Sequence, residues 1–369
     1  MKIQFIDLKA QYLSIKDEVD NAIQNVLLDS SFTLGPYVES FENNFAKMHN
    51  SRFCIGVNSG TSALHACMMA LNIGPGDEVI IPVNTFFATP LAAIHVGAKP
   101  LFVDCESKYY NIDPKQIESA ITDKTKAIIV VHLFGQPSEM DKIRNIADRH
   151  NLLLIEDCAQ AHLSKYNEQS VGSFGICGCF SFYPGKNLGA YGEGGAITTN
   201  NEGIYRKLLA IRNIGMTEKY HHDIIGHNFR MEGVQGAILN VKLKYLEKWT
   251  SIRRKNVNIY REYLNDCSEI ILPEELPGAE HVYHLFVIRA KRRDNLMDFL
   301  NKNGIETGLH YPIPCHLQKA CKYLGYKPGD FPISEMLSKE ILSLPMSEQL
   351  KEHEIKYVSE KVKEFFVKS

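Results

Sequence analysis

The residues around Lys186 are of types that could make its amine a nucleophile. This lysine ends the run Ser181-Phe-Tyr-Pro-Gly-Lys186, and the glycine-rich segment Asn187-Leu-Gly-Ala-Tyr-Gly-Glu-Gly-Gly195 follows it. A lysine amine is a good nucleophile when its surroundings keep it partly neutral next to a carbonyl group, and glycines let the backbone approach a ligand closely. The segment therefore suggests a lysine that forms a Schiff base with pyridoxal phosphate (PLP). A solvated surface lysine is the alternative that this segment alone leaves open.

Two acids, Glu156 and Asp157, follow the apolar run Leu152–Ile155. Carboxylates at the tip of a buried strand are unfavourable unless they are paired, so at least one of them needs a partner. A carboxylate bound to a pyridine nitrogen keeps the ring protonated and makes it an electron sink. A salt bridge or a helix cap is the alternative, but Lys186, which follows after another strand, favours the cofactor.

Two segments that follow predicted strands are candidates for binding the rest of such a cofactor. Asn58-Ser-Gly-Thr-Ser62 precedes the helical pattern Ala63–Leu71, and the free amides of a helix start can bind phosphate. The alternative is a simple N-cap, and the glycine spacing fits neither a dinucleotide fingerprint nor a P-loop. Phe86, in Thr85-Phe-Phe-Ala-Thr89, could stack on a planar ring or be a core residue.

Two polar segments could line a cleft. Gly226-His-Asn-Phe-Arg-Met231 precedes a long helical pattern, and His310-Tyr-Pro-Ile-Pro-Cys-His316 is rich in aromatic, basic and rigid residues. Each could instead be structural. No metal site is predicted, because the adjacent His221 and His222 do not easily chelate one ion together, and the Cys177-Gly-Cys179 pair fits core packing better than zinc.

Composition excludes several classes of protein. The chain has 369 residues, of which 44% are apolar and 23% charged, with a formal net charge of −2. This balance gives no reason to expect nucleic acid or a membrane as a partner. The start lacks the apolar run of a signal peptide, and the nine cysteines are odd in number and scattered. We therefore expect a cytoplasmic protein with reduced thiols.

The order of the predicted elements indicates an α/β fold. Apolar strand-like runs alternate with amphipathic helical stretches, which is typical of a mostly parallel sheet covered on both faces. The predicted strands are Phe53–Val57, Glu78–Pro82, Pro100–Val103, Ala127–Leu133, Leu152–Glu156, Gly178–Phe182 and Gly195–Thr199.

The remaining patterns predict N-terminal helices and a smaller C-terminal domain. Residues 1–50 read as two helices around a turn at Gly35-Pro36, and a long helical segment covers Glu232–Tyr263 with a break near Trp249. After it come a strand at His284–Arg289, a helix over Arg293–Asn303 and a closing helix. We predict a large domain at 1–250 and a smaller α+β domain at 251–369.

Taken together, these segments resemble the DegT/StrS family of PLP-dependent nucleotide-sugar aminotransferases, across nearly the whole chain. The motifs occur in the family's order, and they are Asn58-Ser-Gly-Thr61, Gly74-Pro-Gly-Asp-Glu-Val79, Thr85-Phe-Phe-Ala-Thr89, Glu156-Asp-Cys-Ala-Gln160, Ser181-Phe-Tyr-Pro-Gly-Lys186, Gly192-Glu-Gly-Gly195 and Asn228-Phe-Arg230. The resemblance implies a fold-type I aminotransferase with a mostly parallel seven-stranded sheet. It also implies a homodimer whose active sites lie at the subunit interface.

The resemblance also implies roles for individual residues. Lys186 would form the Schiff base with PLP, Asp157 would pair with the ring nitrogen, Gln160 would touch the ring hydroxyl and Phe86 would stack on the ring. The phosphate would be held by Gly60, Thr61, Ser62, Ser181 and, from the neighbouring subunit, Asn228. Candidate substrate contacts are His162, Tyr183, Arg230, His310 and Tyr311. Cys158 and Leu163 depart from the residues common in the family, and Leu163 could reshape the sugar pocket.

The implied reaction is a two-stage transamination. L-Glutamate would convert PLP to pyridoxamine phosphate and leave as 2-oxoglutarate, and the cofactor would then aminate a keto group of a UDP- or dTDP-linked sugar. The run His310–Gln318 and the pair His221-His222 look most like family members that act on 3-keto sugars. We therefore favour C3 amination, which would supply amino sugars for surface glycans.

This prediction has three alternatives. One is C4 amination of a 4-keto-6-deoxy sugar. Another is a dehydratase of the same fold, which would carry histidine in place of Lys186. The third is a non-catalytic regulator, which should have lost Lys186, Asp157 or Ser181. All three of those residues are present.

Overall fold

The computed structural model describes residues 1–367, which contain fifteen strands and thirteen α-helices. The strands are β1 Phe53–Val57, β2 Glu78–Pro82, β3 Lys99–Val103, β4 Thr125–Val131, β5 Leu153–Asp157, β6 Lys165–Tyr166, β7 Gln169–Ser170, β8 Cys177–Ser181, β9 Gly195–Thr199, β10 Met216–Glu218, β11 His221–His222, β12 Ile270–Ile271, β13 Ala279–Glu280, β14 Phe286–Ala290 and β15 Ile341–Leu344. The helices are α1 Leu8–Ser14, α2 Lys16–Leu28, α3 Pro36–Met48, α4 Gly60–Ala70, α5 Ala88–His95, α6 Pro114–Ala120, α7 Met140–Arg149, α8 Glu202–Arg212, α9 Gly233–Leu243, α10 Leu246–Leu264, α11 Arg293–Lys302, α12 Pro332–Glu340 and α13 Glu352–Val367. Short 3₁₀ turns lie at Leu133–Gly135, Cys315–Leu317 and Lys319–Leu324.

The central sheet has seven strands in the order β1-β9-β8-β5-β4-β2-β3. Strands β8, β5, β4, β2 and β3 are mutually parallel, and β9 runs antiparallel between β1 and β8. The predicted α/β class and the mostly parallel sheet are therefore confirmed. The predicted strand Ala127–Leu133 is shifted, because β4 ends at Val131 and the chain enters a 3₁₀ turn in which Phe134 has φ 60°.

Helices cover both faces of this sheet, and the strand residues alternate between two cores. In β2, Val79 and Ile81 face the core that contains α4 and α5, whereas Ile80 faces the core that contains α7. Because side chains alternate along a strand, a run that is apolar at every position must be buried on both sides. This explains why the sheet strands read as continuous apolar runs in the sequence.

The C-terminal part forms a second, smaller sheet, in which β14 pairs antiparallel with β12 and β15. Its core contains Tyr260 of α10 stacked on Phe286 of β14, with the ring centroids 4.7 Å apart. The N-terminal segment joins this core, because Ile3 donates a backbone hydrogen bond to the carbonyl of Gly304 at 2.8 Å. The sequence pattern did not predict β12, β15 or α12.

Helix α10 runs through the predicted domain boundary at residue 250. Its Trp249 packs in a core with Val19 and Ile238, whereas Val257 and Tyr260 pack in the C-terminal core. One helix thus contributes to both cores, and the division at 250 stays a prediction. The last two residues of the predicted C-terminal domain, 368 and 369, lie outside the residues that the structure describes.

Two helix predictions need correction. The N-terminal region has three helices, because Ile15, with φ −133° and ψ 19°, separates α1 from α2. Its side chain is buried beside Val19. The long helical segment breaks at Lys244 and Tyr245, before Trp249. There the amides of Lys244 and Tyr245 bond to carbonyls three residues back, which tightens the turn before α10 begins at Leu246.

Within residues 1–367, none of the helices has the length and apolar character needed to cross a membrane.

Candidate active site

The segments singled out in the sequence meet at one edge of the central sheet. Strands β2, β5 and β8 are parallel, so their carboxyl ends share this edge, and β1 runs in the same direction. In open α/β sheets this edge is where ligands bind. Gly60 and Ser181 are so close that a Cβ on Gly60 would lie 2.6 Å from the Cβ of Ser181. Their position after two different strands therefore requires glycine at position 60.

Asp157 lies at the end of β5 and is buried. Its Oδ2 accepts a hydrogen bond from Thr89 Oγ1 at 2.8 Å, and its Oδ1 accepts one from the Ala159 amide at 3.1 Å. Because the Thr89 proton points at Asp157, Thr85 is the donor in the 2.8 Å contact between the two threonine hydroxyls. Burial raises the pKa of Asp157, against the effects of these hydrogen bonds and of Lys186. A cation placed against this carboxyl group would favour its ionised form.

Lys186 follows β8 and is partly exposed to the cleft at this edge. Burial lowers its pKa to about 8, and the negative charge of Asp157 opposes this shift. A lysine with this pKa has a substantial neutral fraction near neutral pH, which nucleophilic attack on a carbonyl requires. Its backbone amide donates to the Tyr183 carbonyl at 2.8 Å, so the residue lies in a tight turn.

A candidate anion site lies at the start of α4, next to Ser181. The Ser59 hydroxyl caps the amide of Ser62 at 3.1 Å, and helix starts leave the first amides without partners inside the helix. Gly60, Thr61 and Ser181 surround this helix start, so amides and hydroxyls are available for a phosphate group. The helix dipole adds to the attraction.

Aromatic and amide groups form another wall of the cleft. Phe86 is 56% exposed, and its ring centroid is 5.5 Å from that of Tyr311. Gln160 donates from Nε2 to the Tyr311 hydroxyl at 3.0 Å and accepts from the Phe134 amide at 2.7 Å. Burial raises the pKa of Tyr311. The exposed ring of Phe86 provides a surface on which a planar cofactor could stack.

His310 is turned toward the C-terminal sheet. Its Nδ1 lies 2.8 Å from Ser343 Oγ, and its ring stacks on Phe5 with the centroids 5.8 Å apart. Burial lowers its pKa to about 4, with a further contribution from the charge of Lys186, so the ring is neutral at neutral pH. His310 therefore lies near enough to Lys186 to feel its charge, while its ring is held by Ser343 of β15 and by Phe5.

Three other predicted residues lie at exposed or half-buried positions. Asn228 is exposed, and its carbonyl accepts from Asn58 Nδ2 at 3.4 Å. Arg230 pairs with Val57 at the end of β1 in an isolated bridge. Tyr183 is 56% exposed beside Lys186. Asn228 and Tyr183 are thus accessible to a ligand or a second subunit, whereas the half-buried Arg230 donates from Nη1 to Asn213 Oδ1 at 3.0 Å.

His162 does not reach the cleft. Its ring is fully buried next to Phe180 and Phe182, at centroid distances of 5.7 and 5.6 Å, and burial lowers its pKa well below the usual value. A substrate in the cleft could not touch this ring without a rearrangement of the core. The motif gave the position of His162 in the chain but not the direction of its side chain.

The second acid of the strand tip, Glu156, supports the structure. It accepts hydrogen bonds from the backbone amides of Gly172, Phe174 and Gly175 at 2.7 to 2.8 Å. His132 donates from Nε2 to it at 3.0 Å, since Nδ1 of the same ring accepts from the Ser138 amide. The predicted need for a partner is thus met at both acids.

His132, Glu156 and Cys158 bring ligand atoms within 4.8 Å of one another, as a metal group would. The Glu156 carboxylate is however already engaged by four donors, and burial raises the pKa of the Cys158 thiol. We interpret the group as a structural hydrogen-bond network.

The donor set at this sheet edge fits PLP. It offers an amine of lowered pKa, a buried carboxyl group, a helix start for phosphate and an exposed aromatic ring. Thr89 bonds to Asp157 and Thr85 bonds to Thr89, a role that the motif Thr85-Phe-Phe-Ala-Thr89 did not reveal. Their spacing of four residues, at the start of α5, was the available signal.

The fold and the site together define an aminotransferase. The chain belongs to the DegT/DnrJ/EryC1/StrS aminotransferase family, whose model matches residues 13–363.

Curated relatives cover nearly the whole chain. A UDP-N-acetyl-3-dehydro-alpha-D-glucosamine 3-aminotransferase of Acidithiobacillus ferrooxidans is 42% identical, over 96% of this chain and 95% of its own. A dTDP-3-amino-3,4,6-trideoxy-alpha-D-glucose transaminase of Streptomyces venezuelae is 40% identical, over 99% and 96%. A protein of Geobacillus stearothermophilus named a pleiotropic regulatory protein is 45% identical, over 99% of both chains.

Solved structures agree with the fold. S. venezuelae DesV in complex with a ketimine intermediate has a TM-score of 0.97 and 40% identity, covering 98% of each chain. NtdA of Bacillus subtilis with bound pyridoxamine phosphate has a TM-score of 0.89 and 33% identity, covering 98% of this chain and 85% of its own.

Proposed function

We propose that this chain is a PLP-dependent aminotransferase that moves an amino group from L-glutamate to C3 of a nucleotide-linked keto sugar. The observation that carries the proposal is that the Lys186 amine, of lowered pKa, and the buried Asp157 carboxyl group lie at one sheet edge, where the charge of each affects the pKa of the other. Relatives of this chain include 3-aminotransferases of both dTDP- and UDP-sugars.

Bound PLP would supply an electron sink next to the substrate. Asp157, held by Thr89 and Ala159, would keep a proton on the ring nitrogen. The neutral Lys186 amine would carry a proton between the α-carbon of the amino donor and C4′ of the cofactor. Gly60, Thr61, Ser62 and Ser181 would bind the phosphate, and Gln160 with Phe86 would orient the ring.

The second half of the reaction transfers the amino group to a keto sugar. We favour a 3-keto sugar linked to UDP or dTDP, and the product would be an amino sugar for surface glycans. C4 amination is the alternative. Tyr183, Arg230, His310 and Tyr311 are the proposed contacts, and the planar guanidinium of Arg230 suits a carboxylate or diphosphate.

A homodimer with shared active sites is part of the proposal. Tyr220 and Ile225 are 80% and 83% exposed in the segment that precedes Asn228. Exposed apolar side chains that cluster in this way favour a protein contact. A second subunit seated there would bring Asn228 toward its phosphate site. We also propose a cytoplasmic location, which the unpaired cysteine thiols favour.

A regulator without activity is the second candidate, because one relative bears a regulatory name. The presence of Lys186, Asp157 and Ser181 at one sheet edge argues against it, since binding alone does not need an amine of lowered pKa.

The proposal is tested by incubating the PLP-loaded protein with L-glutamate and a panel of 3-keto and 4-keto sugars linked to UDP or dTDP. We expect 2-oxoglutarate to form and NMR to locate the new amine at C3. An amine at C4 would overturn the C3 assignment. Failure to form 2-oxoglutarate with every sugar would overturn the transaminase itself.

A further inference from the structure

The backbone that carries Lys186 is folded into a tight turn. A Cβ on Gly189 would lie 2.2 Å from the carbonyl oxygen of Pro184, so the chain nearly closes on itself around the lysine. On one side of the turn, Asn187 donates to the Val282 carbonyl at 3.1 Å and contacts His284 Nδ1 at 3.3 Å. The position of the amine thus depends on what holds this turn.

Helix α9 holds the turn from the other side at two points. Lys242 donates from Nζ to the Gly189 carbonyl at 2.7 Å, and the same Nζ lies 4.1 Å from the ring centroid of Tyr191. Gln235, on the same helix, bonds to both the amide and the carbonyl of Tyr191, at 2.9 and 3.1 Å. Neither side chain had been assigned a role from the sequence.

The Lys242 side chain is fully buried, which is rare for a lysine. Glu348 attracts it through space but already bonds to Arg253 at 3.0 Å and Gln11 at 2.6 Å. Burial lowers the pKa of Lys242 to about 7. An apolar side chain would fill the same space without this desolvation, so the contact between Nζ and the Gly189 carbonyl is the distinguishing property of the lysine.

We propose that Lys242 is a positioning residue that fixes the turn carrying Lys186 through the Gly189 carbonyl and the Tyr191 ring. The proposal rests on the proposed function of Lys186. Lys242 itself touches neither the cofactor nor the substrate. Its removal should leave cofactor binding intact while the Lys186 amine loses its orientation relative to Asp157.

The test replaces Lys242 with methionine in the PLP-loaded enzyme, with Lys244→Met as the matched control. Lys244 is next to the end of the same helix and pairs with Glu18 at the surface. For Lys242→Met we expect bound PLP, a rate constant at saturating glutamate that falls about 10- to 100-fold, and an unchanged half-saturating concentration. We also expect a weaker visible circular dichroism band of the bound cofactor. Lys244→Met should match the wild type in all of these.

Lys242→Gln, a shorter neutral donor, is the second variant in case the methionine variant does not fold. A lower melting temperature in either variant, with wild-type rate and dichroism, would overturn the positioning role. If the wild-type enzyme itself forms no 2-oxoglutarate, the proposed function fails. If only the variants are indistinguishable from wild type, the inference about Lys242 alone fails.

Discussion

At the scale of single residues, Asp157 and Lys186 are each driven by burial toward the uncharged form, and each opposes this effect in the other. The sequence placed both at the site, because a strand tip with acids and a lysine before glycines are visible as patterns. The strand pattern alone did not separate Asp157 from Glu156, since the alternation of side chains along β5 determines which acid faces the cleft, and only the family resemblance gave the role to Asp157. Nor could the sequence show that the ring of His162 is buried against phenylalanines.

Lys186 should make the capture of PLP depend on pH. Its pKa of about 8 in the folded protein lies below the ordinary value of 10.5. The neutral amine therefore becomes the main form as pH rises through about 8, so the rate of PLP capture by the apo-protein should rise with a midpoint there. The measurement is stopped-flow absorbance of the lysine-bound cofactor. A midpoint near the ordinary value would contradict the burial of this amine.

The same shift has a consequence for stability. The folded state prefers neutral Lys186, whereas the unfolded chain still binds the proton between the two pKa values. The unfolded state then binds more protons, so the contribution of Lys186 to the free energy of unfolding rises with pH from about 8 to 10.5. Urea unfolding of the apo-protein should show this rise, and Lys186→Met should remove it.

Asp157→Asn should leave PLP bound but slow the glutamate half-reaction by roughly 10²- to 10⁴-fold. A neutral amide cannot keep the ring nitrogen protonated, and its single oxygen can still accept a hydrogen bond from either Thr89 or Ala159. Single-turnover absorbance measures the rate, and equilibrium dialysis measures bound PLP. Complete loss of the cofactor would mean that Asp157 acts mainly in the structure.

At the scale of elements, the site depends on how closely strand ends and helix starts approach one another. The sheet strands were predictable, because burial on both faces requires apolar residues at every position. The break at Ile15 was not, since its buried apolar side chain continues the helical pattern. The break in the long helical segment was predicted near Trp249 and lies at Lys244 and Tyr245. The short strand β15 gave no distinct signal because it follows α12 directly.

Gly60→Ala should weaken PLP binding about tenfold or more, because the added Cβ would displace Ser181 from the phosphate cradle. Gly74→Ala is the matched control, since its Cβ would have its nearest neighbour, the Val96 carbonyl, at an ordinary 3.7 Å. Fluorescence titration of the apo-protein with PLP gives both affinities. Equal affinities for the two variants would refute the close packing at the start of α4.

At the scale of the whole molecule, two cores meet along α10, and the cleft lies where the sheet edge faces the loop with His310 and Tyr311. The Tyr311 hydroxyl accepts a hydrogen bond from Gln160 and so links the C-terminal loop to the residues that follow β5. Sequence patterns did not predict this contact, which depends on the packing of distant segments, and the division into two domains at residue 250 stays a prediction. The proposed dimer would complete the site with Asn228.

Complementation tests the shared site. Lys186→Ala and Asn228→Ala are expected to be inactive or weak alone, because each dimer lacks either the amine or a phosphate ligand in both sites. A mixed dimer should recover one working site, in which Lys186 of one protomer meets Asn228 of its partner. The measurement is activity after the two variants are unfolded and refolded together. Mixtures no more active than the separate variants would place Asn228 outside the partner's site.

The most direct measurement of the central claim is the absorbance spectrum of the PLP-loaded protein before and after L-glutamate. A Schiff base on Lys186 predicts a band near about 410 nm that gives way to one near about 330 nm as the amino group is transferred. Lys186→Ala should lack the first band. A wild-type protein that forms no such band with added PLP, or whose band glutamate leaves unchanged, would contradict the account.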